Sequence, residues 1–267
     1  MSVKTDYGVP RDQDELGALA SILAQSFAAP AEDVLKRMEM FDEIPRVIRA
    51  DGRVTGGIWL IPMAQWFGGR SVPMGGVAAV GVPPEGRGTG TALEMMVAGM
   101  AELREQGVPL SSLYPAAQTL YRKTGFEQAG GRYSLSLPGS ALVMKERALT
   151  MRAATEDDRP AIKEVHRAYA APLSGQLDRG DYCWHWVFNT RKEPTQGYVV
   201  EEDGRITGYV FLTRERTLGH GFYDVNLTDM VALNPAAGRR LLTFLADHRS
   251  MAESFNWFSG QGDPMLA

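Results

Sequence analysis

The residues from Val80 to Leu93 (Val-Gly-Val-Pro-Pro-Glu-Gly-Arg-Gly-Thr-Gly-Thr-Ala-Leu) have the types and order needed to hold an anion. An apolar run from Gly76 to Val82 reads as a buried strand of small and β-branched residues. Pro83-Pro84 stops it, because proline offers no N–H to a ladder. A helix is then expected over Thr91–Gln106, with Leu93, Met96, Val97, Met100 and Leu103 on one apolar face. The first N–H groups of a helix lack internal partners, and the helix dipole adds partial positive charge there. Gly88 and Gly90 let a phosphate approach the backbone, and Arg87 is placed to give it a charge-assisted bond.

Two familiar phosphate motifs do not fit this stretch. A P-loop requires a lysine and a spacing that are absent. A dinucleotide fingerprint requires glycine or alanine where Leu93 stands, and an acidic residue closing a second strand about 20 residues on. A third pattern is Arg-x-x-Gly-x-Ala, met by Arg87, Gly90 and Ala92 behind Val82, Pro84 and Glu85. It resembles the pyrophosphate-binding motif of the GNAT superfamily of acyl-CoA N-acyltransferases. Taken alone, the stretch reads equally well as a glycine-rich connection without a ligand.

Several elements must position this turn. Helices are expected from Asp12 toward Phe27 (Leu16, Leu19, Ile22, Leu23 and Phe27 inward) and from Glu32 to Met40, separated by Pro30. Arg46–Ala50, an Asp51-Gly52 turn and Val54–Trp66 read as a hairpin that leads into the motif strand. Beyond Gly107 come a short strand, Leu110–Tyr114, a single short helix, Gln118–Lys123, and a strand over Arg132–Leu137. The class expected is α+β.

From Thr150 the order restarts. A strand at Met151 and a capped helix through Ile162, Val165, His166 and Tyr169 are followed by a hairpin around Asp203-Gly204. A strand over Asp224–Leu233 and a helix over Gly238–Arg249 complete the copy. Two domains are therefore expected, 1–140 and 141–267. The second copy offers only Asn234-Pro235-Ala236-Ala237-Gly238-Arg239-Arg240 at the motif position, so one ligand site per chain is expected.

Leu113-Tyr114-Pro115 and Leu120-Tyr121-Arg122-Lys123-Thr124-Gly125-Phe126, together with the motif turn, resemble the enhanced intracellular survival family of acetyltransferases. That family is an active GNAT domain followed by a degenerate one, so the fold implied is a tandem GNAT fold with mixed central sheets flanked by helices. The resemblance implies acetyl-CoA as donor and primary amines, aminoglycoside-like or lysine-like, as acceptors. It implies that Val80, Gly81 and Val82 meet the pantetheine through their backbone where two strands splay. Arg87, Gly88, Thr89, Gly90, Thr91, Ala92 and Leu93 would cradle the pyrophosphate. Ala116 and Ala117 fall in the cofactor site at positions that many members fill with Ser-Glu. Tyr121 matches the general acid that protonates the departing thiolate, a task suited to a phenol that stays protonated at neutral pH. Tyr114 reads instead as a packing residue at a strand end. Many members have a second arginine where Gly88 stands. The family also adds a sterol-carrier-like third domain near where Pro264-Met265-Leu266-Ala267 falls, and it forms homo-oligomers.

Composition narrows the alternatives. Net charge is −4 over 267 residues, with no electrostatic footprint for nucleic acid. No apolar run reaches a membrane span, and the polar N-terminus is unlike a signal peptide. The single cysteine, Cys183, has no partner at metal spacing and fits a reducing cytoplasm as an inert thiol. No metal site is expected. His166, His185, His220 and His248 all fall in the second half, without a readable base. Asp33, Glu39, Asp42 and Glu43 are candidates to hold a cationic amine, or ordinary solvated charges. A non-catalytic acyl-CoA-binding or assembly module, and an acyltransferase acting on peptides or aminoacyl groups, remain the competing functions.

Overall fold

The computed structural model describes residues 5–189, 195–217 and 222–260. His220 and the Pro264–Ala267 segment lie outside the described residues. The chain divides into two units, Met1–Gln65 with Ser71–Gln128, and Trp66–Arg70 with Ala129–Ala267.

The first unit contains β1 (Thr5–Gly8), α1 (Gln13–Phe27), α2 (Ala31–Met40), β2 (Pro45–Ala50), β3 (Arg53–Phe67) and β4 (Arg70–Gly81). α3 (Thr91–Glu105), β5 (Leu110–Leu113) and α4 (Gln118–Lys123) follow. The strands lie in the order β1-β2-β3-β4-β5, with β1/β2 and β2/β3 antiparallel and β4/β5 parallel. α1 starts where the Asp12 carboxylate accepts from the Glu15 N–H at 2.9 Å, and it buries Leu16, Leu19, Ile22 and Leu23. Phe27, expected on that stripe, is the last helical residue and is 53% exposed. Asp51 and Gly52 both have positive φ, as a type I′ hairpin turn requires.

On α3 the buried stripe is Met95, Met96, Gly99 and Leu103, and Val97 is 54% exposed rather than inward. Gly99 faces the sheet: a Cβ there would lie 3.4 Å from the Tyr7 hydroxyl and 3.6 Å from Leu60, at ordinary contact distances. Two charged clamps also tie helices to the sheet. Arg46 forks onto Glu102, and the nearly buried Arg49 forks onto Glu15 with contacts of 2.5 and 2.6 Å. The second clamp holds the Glu15 carboxyl down at about 2.

The second unit contains β6 (Tyr133–Pro138), β7 (Thr150–Ala153), α5 (Arg159–Ala170), β8 (Leu177–Asp178), α6 (Asp181–Phe188) and β9 (Gln196–Glu202). β10 (Arg205–Arg216), β11 (Tyr223–Ala232), α7 (Pro235–Asp247) and β12 (Ala252–Ser259) complete it. Strand order is β6-β12-β11-β10-β9-β7, and β11/β12 is the parallel pair. β7, β9, β10, β11, α7 and β12 thus repeat β1, β2, β3, β4, α3 and β5 in order. Asp203-Gly204 repeats the positive-φ turn.

β6 precedes residue 140, where the sequence places the boundary, yet it joins the second sheet. It pairs antiparallel with β12, from Tyr133↔Ser259 to Pro138↔Ser254, and so belongs to the second sheet. Leu137 packs on the core around the fully buried Phe255, which supplies the apolar reason for that pairing.

A polar group sits inside the second unit. Arg179 forks onto Asp229 with contacts of 2.5 and 3.0 Å, the Tyr209 hydroxyl donates to Asp229 at 2.7 Å, and the guanidinium lies over Trp184. His166, 5% exposed, meets the edge of Trp184. Burial, aided by the Arg179 charge, pushes its imidazole from 6.5 down to about 4. Unfolding therefore takes up a proton below pH 6.5. Stability from this residue is complete above 6.5 and lost as pH falls toward 4, by about 2–3 kcal/mol at pH 4.5. Urea midpoints measured between pH 7 and 4.5 are expected to show this fall, and a His166→Phe variant to lack its upper part.

Candidate functional site

β4 and β5 pair in parallel from Met74↔Leu110 to Val77↔Leu113, and the pairing stops there. β4 continues for four residues with a break in its regularity, since Ala79 has φ 50 in the left-handed region. A non-glycine residue in that conformation costs about 1–2 kcal/mol, and it turns the peptide groups of Val80 and Gly81 out of line with the preceding ladder. Gly81 is required by packing, because a Cβ would come within 2.6 Å of Leu23 and 3.1 Å of Ser26 Oγ. The result is a fork whose β4 arm runs on past β5, with Ala78, Ala79 and Val80 half-buried and Gly81 buried.

The chain then makes a short 3-10 turn over Pro84–Gly86, closed by the Gly86 N–H on the Pro83 carbonyl at 2.9 Å. Gly88 and Gly90 follow at φ 79 and 94, and nothing occupies the space where their Cβ atoms would be. The Thr89 hydroxyl donates to the Gly86 carbonyl at 2.7 Å and lies 2.8 Å from that of Thr91, which ties the turn together. Gly90 caps α3 without a side chain, so the cap position places no side-chain oxygen on the N–H groups of the first turn. Arg87 is exposed and has no ion-pair partner among the described residues. An open helix start, two left-handed glycines and an unengaged guanidinium have the chemistry to hold an anion.

Tyr121 lies on α4, 8% exposed, with its ring edge-on to Phe126 at 6.4 Å. It shares one apolar cluster with Val77, Met95 and Met96, against which Val80 and Leu113 pack. The phenol is thus brought to the residues that bound the fork. Burial raises its pKa, and its hydroxyl has no hydrogen-bond partner among the described residues. Ala116 and Ala117 are exposed in the connection between β5 and α4.

Tyr114 is not the strand-end packing residue expected. β5 ends at Leu113, and the side chain is 77% exposed ahead of Pro115. Asp33, Glu39, Asp42 and Glu43 are all exposed. His166, His185 and His248 belong to the second unit. Cys183 is half-buried there, and burial raises its thiol pKa.

The second copy lacks the open helix start for a visible reason. The Asn234 side chain accepts from the Ala237 N–H at 2.8 Å, Pro235 has no N–H to offer, and Ala237 is fully buried. The place an anion would take is filled by the chain's own carboxamide. Among the described residues no helix is long and apolar enough to cross a membrane.

Two family models, each described as an acetyltransferase (GNAT) domain, match residues 10–129 and 175–267. A solved GCN5-related N-acetyltransferase from Anabaena variabilis superimposes with a TM-score of 0.92 at 32% identity, covering 98% of this chain and 68% of that one. This chain belongs to the GNAT acetyltransferase family. It is a tandem GNAT protein with an α+β fold. Eis1 from Mycobacterium abscessus shares the fold at a TM-score of 0.74 and 18% identity, over 98% of this chain and 67% of that one. An uncharacterized N-acetyltransferase of Streptomyces griseus is 29% identical over 207 residues, 67% of this GNAT chain. That match covers 47% of the relative, so the chain spans about half its length.

Proposed function

We propose that this tandem GNAT protein is an acetyl-CoA-dependent N-acetyltransferase whose first unit moves the acetyl group to a primary amine. The observation that carries the reading is the meeting of Val80, Leu113 and Tyr121 in one cluster at the fork, with Val80 three residues short of the open turn that begins after Pro83. In this reading the diphosphate of acetyl-CoA sits on the N–H groups after Gly88, held by Arg87. The pantetheine meets the main chain of Val80, Gly81 and Val82, and Ala116 and Ala117 flank it. The neutral amine attacks the thioester carbonyl carbon and the C–S bond breaks. Main-chain donors on β4 stabilise the oxyanion, Tyr121 gives its proton to the departing thiolate, and the ammonium proton leaves to water. We place the reaction in the cytoplasm and expect a homo-oligomer, in line with the resemblance to the enhanced intracellular survival family.

A thiol-release assay with acetyl-CoA and an aminoglycoside, a polyamine or a lysine peptide tests this, with calorimetry on CoA beside it. Turnover with any of the three supports the reading and names the acceptor class. Activity confined to the peptide supports a peptide acyltransferase. Binding without turnover supports a non-catalytic acyl-CoA-binding module, and absence of both overturns the assignment. Arg87→Ala is expected to raise the Kd for CoA about ten-fold, the loss of one exposed charge-assisted contact to phosphate. An unchanged Kd would take Arg87 out of the site.

A further inference from the structure

β1 lies in the polar N-terminal stretch, and its side chains follow α3 along most of its length. The Thr5 hydroxyl donates to the Glu94 carboxylate in the first turn of the helix. The Tyr7 hydroxyl lies over Gly99 and donates to Glu102 at 2.9 Å near the other end. The contact at Glu94 bears on the site. Glu94 is the fourth helical residue after the Gly90 cap, and its N–H is already paired to the Gly90 carbonyl at 3.0 Å. A helical side chain leans toward the N-terminus and covers the turn before its own Cα. A free carboxylate at this position would therefore lean over Gly90 and Thr91, where its charge would repel a diphosphate and compete for the helix dipole. Thr5 draws it toward β1 instead.

We propose that Thr5 and Glu94 form a latch that sets the affinity of the anion site, with Glu94 the opposing charge and Thr5 the residue that holds it aside. Both are positioning residues. The proposal rests on the reading that the turn after Arg87 binds the diphosphate of CoA. It predicts an effect that damage to the fold cannot produce, namely tighter binding when Glu94 loses its charge.

Calorimetry of CoA binding to the full chain at low ionic strength tests it. Glu94→Gln is expected to lower Kd about three-fold and Thr5→Ala to raise it about three-fold. Thr5→Ala introduced into the Glu94→Gln background is expected to change little, because no charge is left to release. All three differences should shrink at 0.15 M salt, where the screening length is about 8 Å. Unchanged or weaker binding by Glu94→Gln overturns the latch while leaving the CoA reading intact, as does an equal effect of Thr5→Ala in both backgrounds. Failure of the wild-type chain to bind CoA overturns the CoA reading and the latch together.

Discussion

Tyr121→Phe is expected to lower kcat on the order of 10²-fold while leaving the Kd for CoA within about two-fold. The ring is fixed by the cluster around Val77, Met95 and Met96 and by its edge contact with Phe126, and phenylalanine preserves all of that packing. Only the hydroxyl is removed, and it has no hydrogen-bond partner among the described residues that would lose anything else. Burial raises the phenol pKa, so the proton is in place throughout the neutral range. Steady-state kinetics with the best acceptor, beside calorimetry, separates the roles. A fall in kcat with intact binding marks the acid, and an unchanged kcat removes Tyr121 from the chemistry.

Asp229→Ala is expected to destabilise the second unit by about 3–5 kcal/mol. The carboxylate is buried on β11 and satisfies both arms of Arg179 and the Tyr209 hydroxyl at once. Its removal leaves a guanidinium and a phenol without an acceptor in a site largely shielded from water. Urea unfolding followed by tryptophan fluorescence reads the loss, since Trp184 lies under Arg179. The double variant Arg179→Met with Asp229→Leu should recover most of it, because an apolar pair carries no desolvation cost. A single variant as stable as wild type would mean that the pair contributes nothing.

The site was legible in the sequence where local chemistry decides it. Helix starts are written in capping and glycine residues, and α3 begins at Thr91 and α4 spans Gln118–Lys123, as the sequence alone indicates. The hairpin turns at Asp51-Gly52 and Asp203-Gly204 were equally plain. What stayed hidden depends on partners distant along the chain. β1 is four residues with no apolar alternation, and it becomes a strand only by pairing Thr5–Gly8 with Val47–Ala50. α6 is apolar and aromatic on every side, so no stripe marks it as a helix. β6 was visible as a strand, but its choice of β12 was not, because strand sequence fixes which residues point inward and not which neighbour they meet. Val97 points outward and Met95 inward because the face that α3 lays on its sheet is chosen by long-range packing, not by the spacing of apolar residues alone.

The helix starts of α3 and α7 show that a binding place made of main chain erodes in an unusual way. Most exchanges of side chain around the α3 turn leave its N–H groups where they are, so such a place tolerates drift so long as nothing is added. It disappears by gain. One carboxamide at the cap, as at Asn234, supplies from within what a ligand would have brought from outside, and the helix keeps its start while the opening at it closes. A tandem protein can thus close the helix start of one copy from within and keep that copy as architecture.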